Sequence, residues 1–120
     1  ANTARDAISR LEQMVTMIGS DFPMSAVRSQ IAAGLQLVLQ LNRLSDGRRR
    51  VMSISEVVGI EGDVIIMQDI FTFKKMGVDE DGNVQGRMMA TGIRPKCFEA
   101  LMASGVPLAL DAFSPLGEGA

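Results

Sequence analysis

A chain of 120 residues that is 47% hydrophobic and 22% charged has the make-up of a globular domain, which excludes a disordered tail. Its net charge of -2 gives no overall field to draw nucleic acid or an anionic membrane. A single cysteine, Cys97, excludes an internal disulfide and fits a reducing compartment.

The elements follow from periodicity and breakers. Thr3 is a good helix N-cap with Asp6 three residues on, a capping-box-like start. Ala7, Ile8, Leu11, Met14, Val15 and Ile18 then recur at helical spacing, so a helix is predicted from Thr3 to Ile18, stopping at Gly19-Ser20-Asp21. Phe22-Pro23 is read as a turn, and a second helix as Met24 to Ala33, with Val27, Ile31 and Leu35 as its stripe and Gly34 as its stop. In Leu35 to Leu41 the leucines alternate, so a largely buried strand is predicted. Asp46-Gly47 marks a turn into a strand over Arg50 to Val58, and Gly59 to Asp63 the next reversal. A strand follows from Val64 to Phe73, then an Asp81-Gly82 turn and a short strand over Val84 to Ala90. Gly92-Ile93-Arg94-Pro95 leads to a last helix that packs through Phe98, Leu101 and Met102 and ends at Gly105, with Pro95 suited to its first turn. The order of elements is α+β: two helices, an antiparallel β-meander and a final helix. Residues 1–106 form the folded part, and 107–120 read as a loose tail.

Several motifs are absent. The lysines are Lys74, Lys75 and Lys96, and none follows a glycine, so no phosphate-binding G-x-x-x-x-G-K-[ST] loop exists. No histidine occurs, which removes the commonest general base and zinc ligand. Cys97 has no histidine to activate it as a nucleophile. No catalytic and no metal-binding residue is assigned. The apolar run Ile31 to Leu41 is shorter than the ~20 residues a bilayer span needs, and no signal peptide opens the chain. A soluble, cytoplasmic protein is expected.

Four features are weighed against plainer readings. Nine methionines suit a pliable binding surface, but ordinary core filling is preferred. Asp79 to Asn83 imitates the start of an EF-hand loop, yet Val84 and Ala90 occupy the positions that need Gly and Glu; a solvated acidic turn is preferred. Arg48-Arg49-Arg50 with Arg43 makes a basic hairpin tip able to meet phosphates, but no aromatics interleave to stack bases. A solvated turn or a subunit contact is preferred there. Glu56, Glu61, Asp63 and Asp69 are read as exposed strand and turn positions rather than as paired catalytic carboxylates.

The opening Ala1-Asn2-Thr3-Ala4, with Arg5 to Glu12 after it, resembles the stretch just past the histidine of the His box (His-Ala-Asn-Thr) in CpaF-type ATPases of the type II/IV secretion and pilus-assembly superfamily. The resemblance continues through Arg28 to Ala32, Gly47 to Val51, Ile54 to Val64, Gln68 to Phe71 and Thr91 to Pro95, in the family's order. It implies the C-terminal part of a RecA-like P-loop ATPase domain, entered one residue after the histidine, from a hexamer that drives pilus assembly or protein export. The Walker A, Asp-box and Walker B segments would precede the first residue, and ATP and Mg would belong to the parent protein, with no cofactor in this chain. Asn2, Thr3 and Arg10 carry over as nucleotide-proximal helpers, although helix capping explains Asn2 and Thr3, and a surface salt bridge Arg10, equally well. Arg48, Arg49, Arg50 and Arg94 are candidates for a subunit interface. The implied partners are the remainder of the ATPase, neighbouring subunits and inner-membrane secretion or pilus platform proteins, with the assembly cytoplasmic and peripheral to that membrane.

Alone, the chain is expected to neither bind nor hydrolyse ATP. With no strands flanking Leu35 to Leu41, its open edge is expected to drive self-association. A free-standing protein-interaction module and, less favoured, a nucleic-acid binder through Arg43 and Arg48 to Arg50 are the alternatives.

Overall fold

A computed structural model describes residues 3–18, 23–107, 109 and 112–114. It contains α1 (Ala4–Met17), α2 (Met24–Gly34), β1 (Leu37–Arg43), β2 (Arg49–Glu61), β3 (Val64–Val78), β4 (Val84–Ala90) and α3 (Cys97–Ala103). The described residues form a small α+β domain with one four-stranded antiparallel sheet in the order β1-β2-β3-β4.

Local chemistry sets the helix starts. Thr3 is extended, and its Oγ1 accepts from the Asp6 backbone N–H at 3.0 Å, giving one of the orphan donors of α1 a partner. Pro23 precedes α2 with φ -62°, and its carbonyl accepts from Ala26 and Val27. The expected stop at Gly19-Ser20-Asp21 and the turn residue Phe22 lie outside the described residues. Glu12 of α1 and Arg28 of α2 form an ion pair at 3.3 Å that ties the two helices together. Among the described residues no helix is long and apolar enough to cross a membrane.

The strands meet at turns where glycine supplies the backbone geometry. Gly47 at φ +81° and Gly82 at φ +82° sit where a side chain would be strained. β3 continues past the expected end at Phe73 to Val78, because β4 pairs along its whole length down to Val78↔Val84. Similarly, Gly59 to Glu61, expected in a reversal, remain in β2 and pair with Val64 to Ile66. The β1–β2 and β3–β4 pairs carry one bulge each and the β2–β3 pair two, leaving Met52, Val58, Ile70 and Met76 as extra residues in the ladder.

The two faces of the sheet differ. On one face Val38, Val57, Ile65 and Met67 pack against Ile8 of α1 and against Ile31, Ala32 and Leu35, which α2 and its end supply. On the other, α3 lies against the sheet: Phe98 is buried, and Phe113 bridges the rings of Phe98 and Phe71 with centroids 5.7 Å apart in both pairs. Leu101 and Met102, expected to pack, are exposed; Phe98 is the buried side chain of the two-turn helix.

The expectation of a largely buried first strand is overturned. Leu37, Leu39 and Leu41 are 47%, 51% and 54% exposed. Side chains alternate across a strand; Val38 takes the face that α1 and α2 cover, so the leucines take the other. α3 stops short of them, and β1 is the edge of the sheet. The Cα radius of gyration of 17.1 Å, against about 14 Å for a compact chain of this length, goes with an elongated outline of 54 × 39 × 22 Å.

Candidate functional site

The N-terminus of α1 meets the sheet at an open basin whose lining mixes polar groups with a larger apolar surface. Thr3, Ala4 and Arg5 form one wall, Gln40 and Asn42 of β1 a second, and Met52, Ser53, Met67 and Asp69 the floor, around a cavity of ≈ 400 Å³. Local geometry places these groups. Gln40 and Asn42 are two apart on β1 and share a face, with Gln40 Nε2 donating to Asn42 Oδ1 at 2.7 Å. The bulge at Met52 lets it line the basin together with its neighbour Ser53. Arg5 crosses to the sheet and donates from Nη1 to the Ile65 carbonyl at 2.8 Å, fixing the α1 terminus in place.

Asp69 contributes the basin's carboxylate. Its Oδ1 accepts from Ser55 Oγ at 2.6 Å, and its carbonyl accepts from Thr91 Oγ1 at 2.6 Å. Ser55 is fully buried, so its hydroxyl has no path to a substrate, whereas Asp69 itself is exposed in the basin. The basin therefore offers amides, hydroxyls and one carboxylate beside a helix start. That set can hydrogen-bond a polar group, and it holds no nucleophile–base pair.

Of the nucleotide-proximal candidates, Thr3 lines this basin. Arg10 is exposed further along α1 and does not line it, and Asn2 lies outside the described residues.

The arginine candidates separate. Arg48 and Arg49 are exposed at the β1–β2 tip, where Arg49 stands directly opposite Arg43. Like charges facing each other across a ladder repel, and the Asp46 carboxylate in the same turn accepts from Arg48 N at 3.0 Å. Arg50 instead turns inward. Its Cζ lies 5.5 Å from the centroid of the Phe73 ring, and Nη2 donates to the Val84 carbonyl at 3.3 Å. Arg94 spreads over the Phe98 ring with its Cζ at 4.6 Å, closing the outside of the α3 contact.

The acidic residues also separate. Glu61, Asp63 and Asp69 are exposed, but Glu56 is only 5% exposed, against the expectation of a surface carboxylate. It accepts from the backbone N–H groups of Lys96 (2.7 Å) and Cys97 (3.1 Å) at the start of α3. That helix has no side-chain cap of its own, so a carboxylate from β2 supplies the missing acceptor. The lack of a capping residue at Lys96 was the sequence signal for such a donor-rich end, but nothing local pointed to Glu56. Burial, and then the Glu56 carboxylate, push the Cys97 thiol above its ordinary pKa, the reverse of nucleophile activation.

In the Asp79 turn, Oδ1 accepts from Asp81 N and Asn83 N (3.0 and 2.8 Å), and Oδ2 from Gln85 Nε2 at 3.1 Å. The carboxylate is thus spent on the turn itself. Among the described residues no group of three or more His, Cys, Asp or Glu side chains is placed to hold a metal ion. Compared with protein-family models and with curated proteins, the chain matches none.

Proposed function

We propose that this chain is the C-terminal part of a CpaF-type secretion or pilus-assembly ATPase, the part that completes the RecA-like domain and transmits nucleotide-driven movement without performing the chemistry. The reading rests on the ordered series of matching segments from Asn2-Thr3 to Thr91-Gly92-Ile93-Arg94-Pro95. What supports it structurally is the juxtaposition of the Thr3 cap, the basin and the open edge of β1. A sheet with an unpaired apolar edge beside a polar helix start is suited to be continued by further strands that bring a reactive group to the basin.

In this role Thr3 holds the entry to α1, while the exposed Arg48 and Arg49 face the acidic surface of a neighbouring subunit. Phosphoryl transfer needs groups that cradle the β- and γ-phosphates and hold Mg²⁺, and those belong to the preceding segments of the parent. The platform proteins of an inner membrane, met from the cytoplasmic side, are the proposed downstream partners.

The test compares two proteins. The 120-residue chain is expected to show no ATP turnover. The same chain extended upstream in its reading frame through a Gly-Lys-Thr loop and a histidine is expected to hydrolyse ATP. An upstream frame without those motifs, or ATP turnover by the 120 residues alone, overturns the assignment.

A further inference from the structure

Asp69 sits at a break in β3. Its side chain lines the basin on the α1 side of the sheet, and its Oδ1 accepts from Ser55 Oγ of β2 at 2.6 Å. The next residue, Ile70, is the extra residue of a β2–β3 bulge. Successive carbonyls of a regular strand point to opposite sides, yet those of Asp69 and Ile70 both accept from Thr91 Oγ1, at 2.6 and 3.2 Å. The bulge brings the two to one hydroxyl. Thr91 N also donates to the Ile70 carbonyl at 3.0 Å, and Ile93 N to Thr91 Oγ1 at 3.3 Å. Thr91 thereby fixes the start of the connection from β4 to α3. At the far end of that connection Lys96 N and Cys97 N donate to Glu56, the neighbour of Ser55 in β2. The entry to α3 is therefore tied at two points, to β3 through Thr91 and to β2 through Glu56. The Ser55–Asp69 bond joins the two strands between those points.

We infer that Asp69 couples the basin on one face of the sheet to the seating of α3 on the other, so that a hydrogen-bond donor entering the basin loosens α3. A carboxylate only accepts, so the group that engages Asp69 is a donor, and a cationic one gains charge assistance. Ser55 is fully buried and Asp69 is exposed, so the donor competes for the carboxylate from the open side. Losing the Ser55 bond frees the side chain that holds the bulge to β2. As the bulge relaxes, its two carbonyls no longer converge on Thr91 Oγ1, and α3 keeps only the Glu56 tie. α3 is suited to yield, because it is short, has no side-chain cap of its own and buries only Phe98. The core that α1 and α2 share with the sheet lies off this path. The coupling belongs to the 120-residue chain and does not rest on the ATPase reading.

Amide hydrogen exchange, read over residues 96–103 against α2 as reference, tests this. Asp69→Ala breaks the bond and is expected to speed exchange in that segment about tenfold, the scale of one lost hydrogen bond, with α2 unchanged. Asp69→Asn keeps an acceptor for Ser55 Oγ and is expected to exchange as the native chain does. Thr91→Val is expected to match Asp69→Ala, and the double variant to be no faster than either, since both cut one path. Asn42→Lys sets an ammonium on the basin wall. It is expected to speed the same segment when Asp69 is present but not in an Asp69→Ala background, while the uncharged Asn42→Met leaves it unchanged. Should Asp69→Ala fail to fold, Ser55→Ala breaks the same bond from the buried side. The proposal is overturned by equal acceleration in α2, by Asp69→Asn exchanging as fast as Asp69→Ala, or by additive effects in the double variant. An Asn42→Lys chain that exchanges like Asn42→Met overturns it as well.

Discussion

Asp46 and Val84, 38 positions apart in the chain, are joined by a hydrogen bond of 2.9 Å from the Val84 backbone N–H to the Asp46 carboxylate. The Val84 carbonyl is held in turn by Arg50. The tip of the first hairpin is thereby fastened to the start of β4, although β1 and β4 are the two edges of the sheet. Val84 is among the most completely buried side chains, so the clasp closes over a packed position.

The clasp predicts an acid sensitivity. Hydrogen bonds from Arg48 N and Val84 N hold the Asp46 carboxyl below its ordinary pKa. A carboxyl depressed in the folded state adds stability above the unfolded value of about 3.9, and that contribution is lost as pH falls through the lower, folded value. Asp46→Ala is expected to melt at a lower temperature than the native chain at neutral pH. The gap should narrow as pH drops below about 4, and thermal melts across pH 2–7 would show it. A gap that stays constant over that range would exclude the clasp as its source.

Glu56 predicts a cost at a distance from the mutated strand. Glu56→Ala leaves the Lys96 and Cys97 N–H groups without their acceptor, and loss of a helix cap costs about 0.5–2 kcal/mol. Urea denaturation should report a loss in that range, with protease cleavage appearing first near α3. Glu56→Gln keeps an acceptor and removes the negative charge beside Cys97. Its thiol should then be alkylated faster than in the native chain at pH 8, because one of the causes that raise its pKa is gone.

Gly86 is required by a close approach. A Cβ there would stand 2.5 Å from both the Lys74 carbonyl oxygen and Cζ of Phe73. The ring could turn, but the backbone oxygen cannot move without disturbing the β3–β4 ladder. Gly86→Ala is expected to destabilise by about 1–3 kcal/mol, as other overpacking changes do, measured by urea or thermal unfolding. A neutral result would mean that the ladder gives way there.

Thr3 separates capping from any wider role. Thr3→Ala removes the acceptor for Asp6 N and should cost about 1 kcal/mol, whereas Thr3→Ser should restore it. The measurement is chemical denaturation of the three proteins. Equal stability of all three would show that α1 holds its start through Arg5 and Ile65 instead.

Local chemistry made much of the fold legible. The cap at Thr3, the start of α2 after Pro23, the turns at Asp46-Gly47 and Asp81-Gly82, and the limits of β4 each follow from a few adjacent residues. Strand ends were harder to read, since β3 runs to Val78 only because β4 is beside it. Sequence alone determined that the chain is an α+β domain without a phosphate loop, and that Leu37, Leu39 and Leu41 lie on one side of a strand. It could not tell which side is covered. That was decided by α1 and α2 settling over Val38, while α3 was drawn to Glu56 and, through the Phe98 and Phe113 rings, to Phe71 on the opposite face. The same holds for Arg50, taken from a basic run into contact with Phe73, and for Glu56, taken from a strand surface to a helix start. Periodicity assigns residues to faces within about one turn of chain. Burial of a face depends on partners tens of residues away, and only the tertiary structure brings those together.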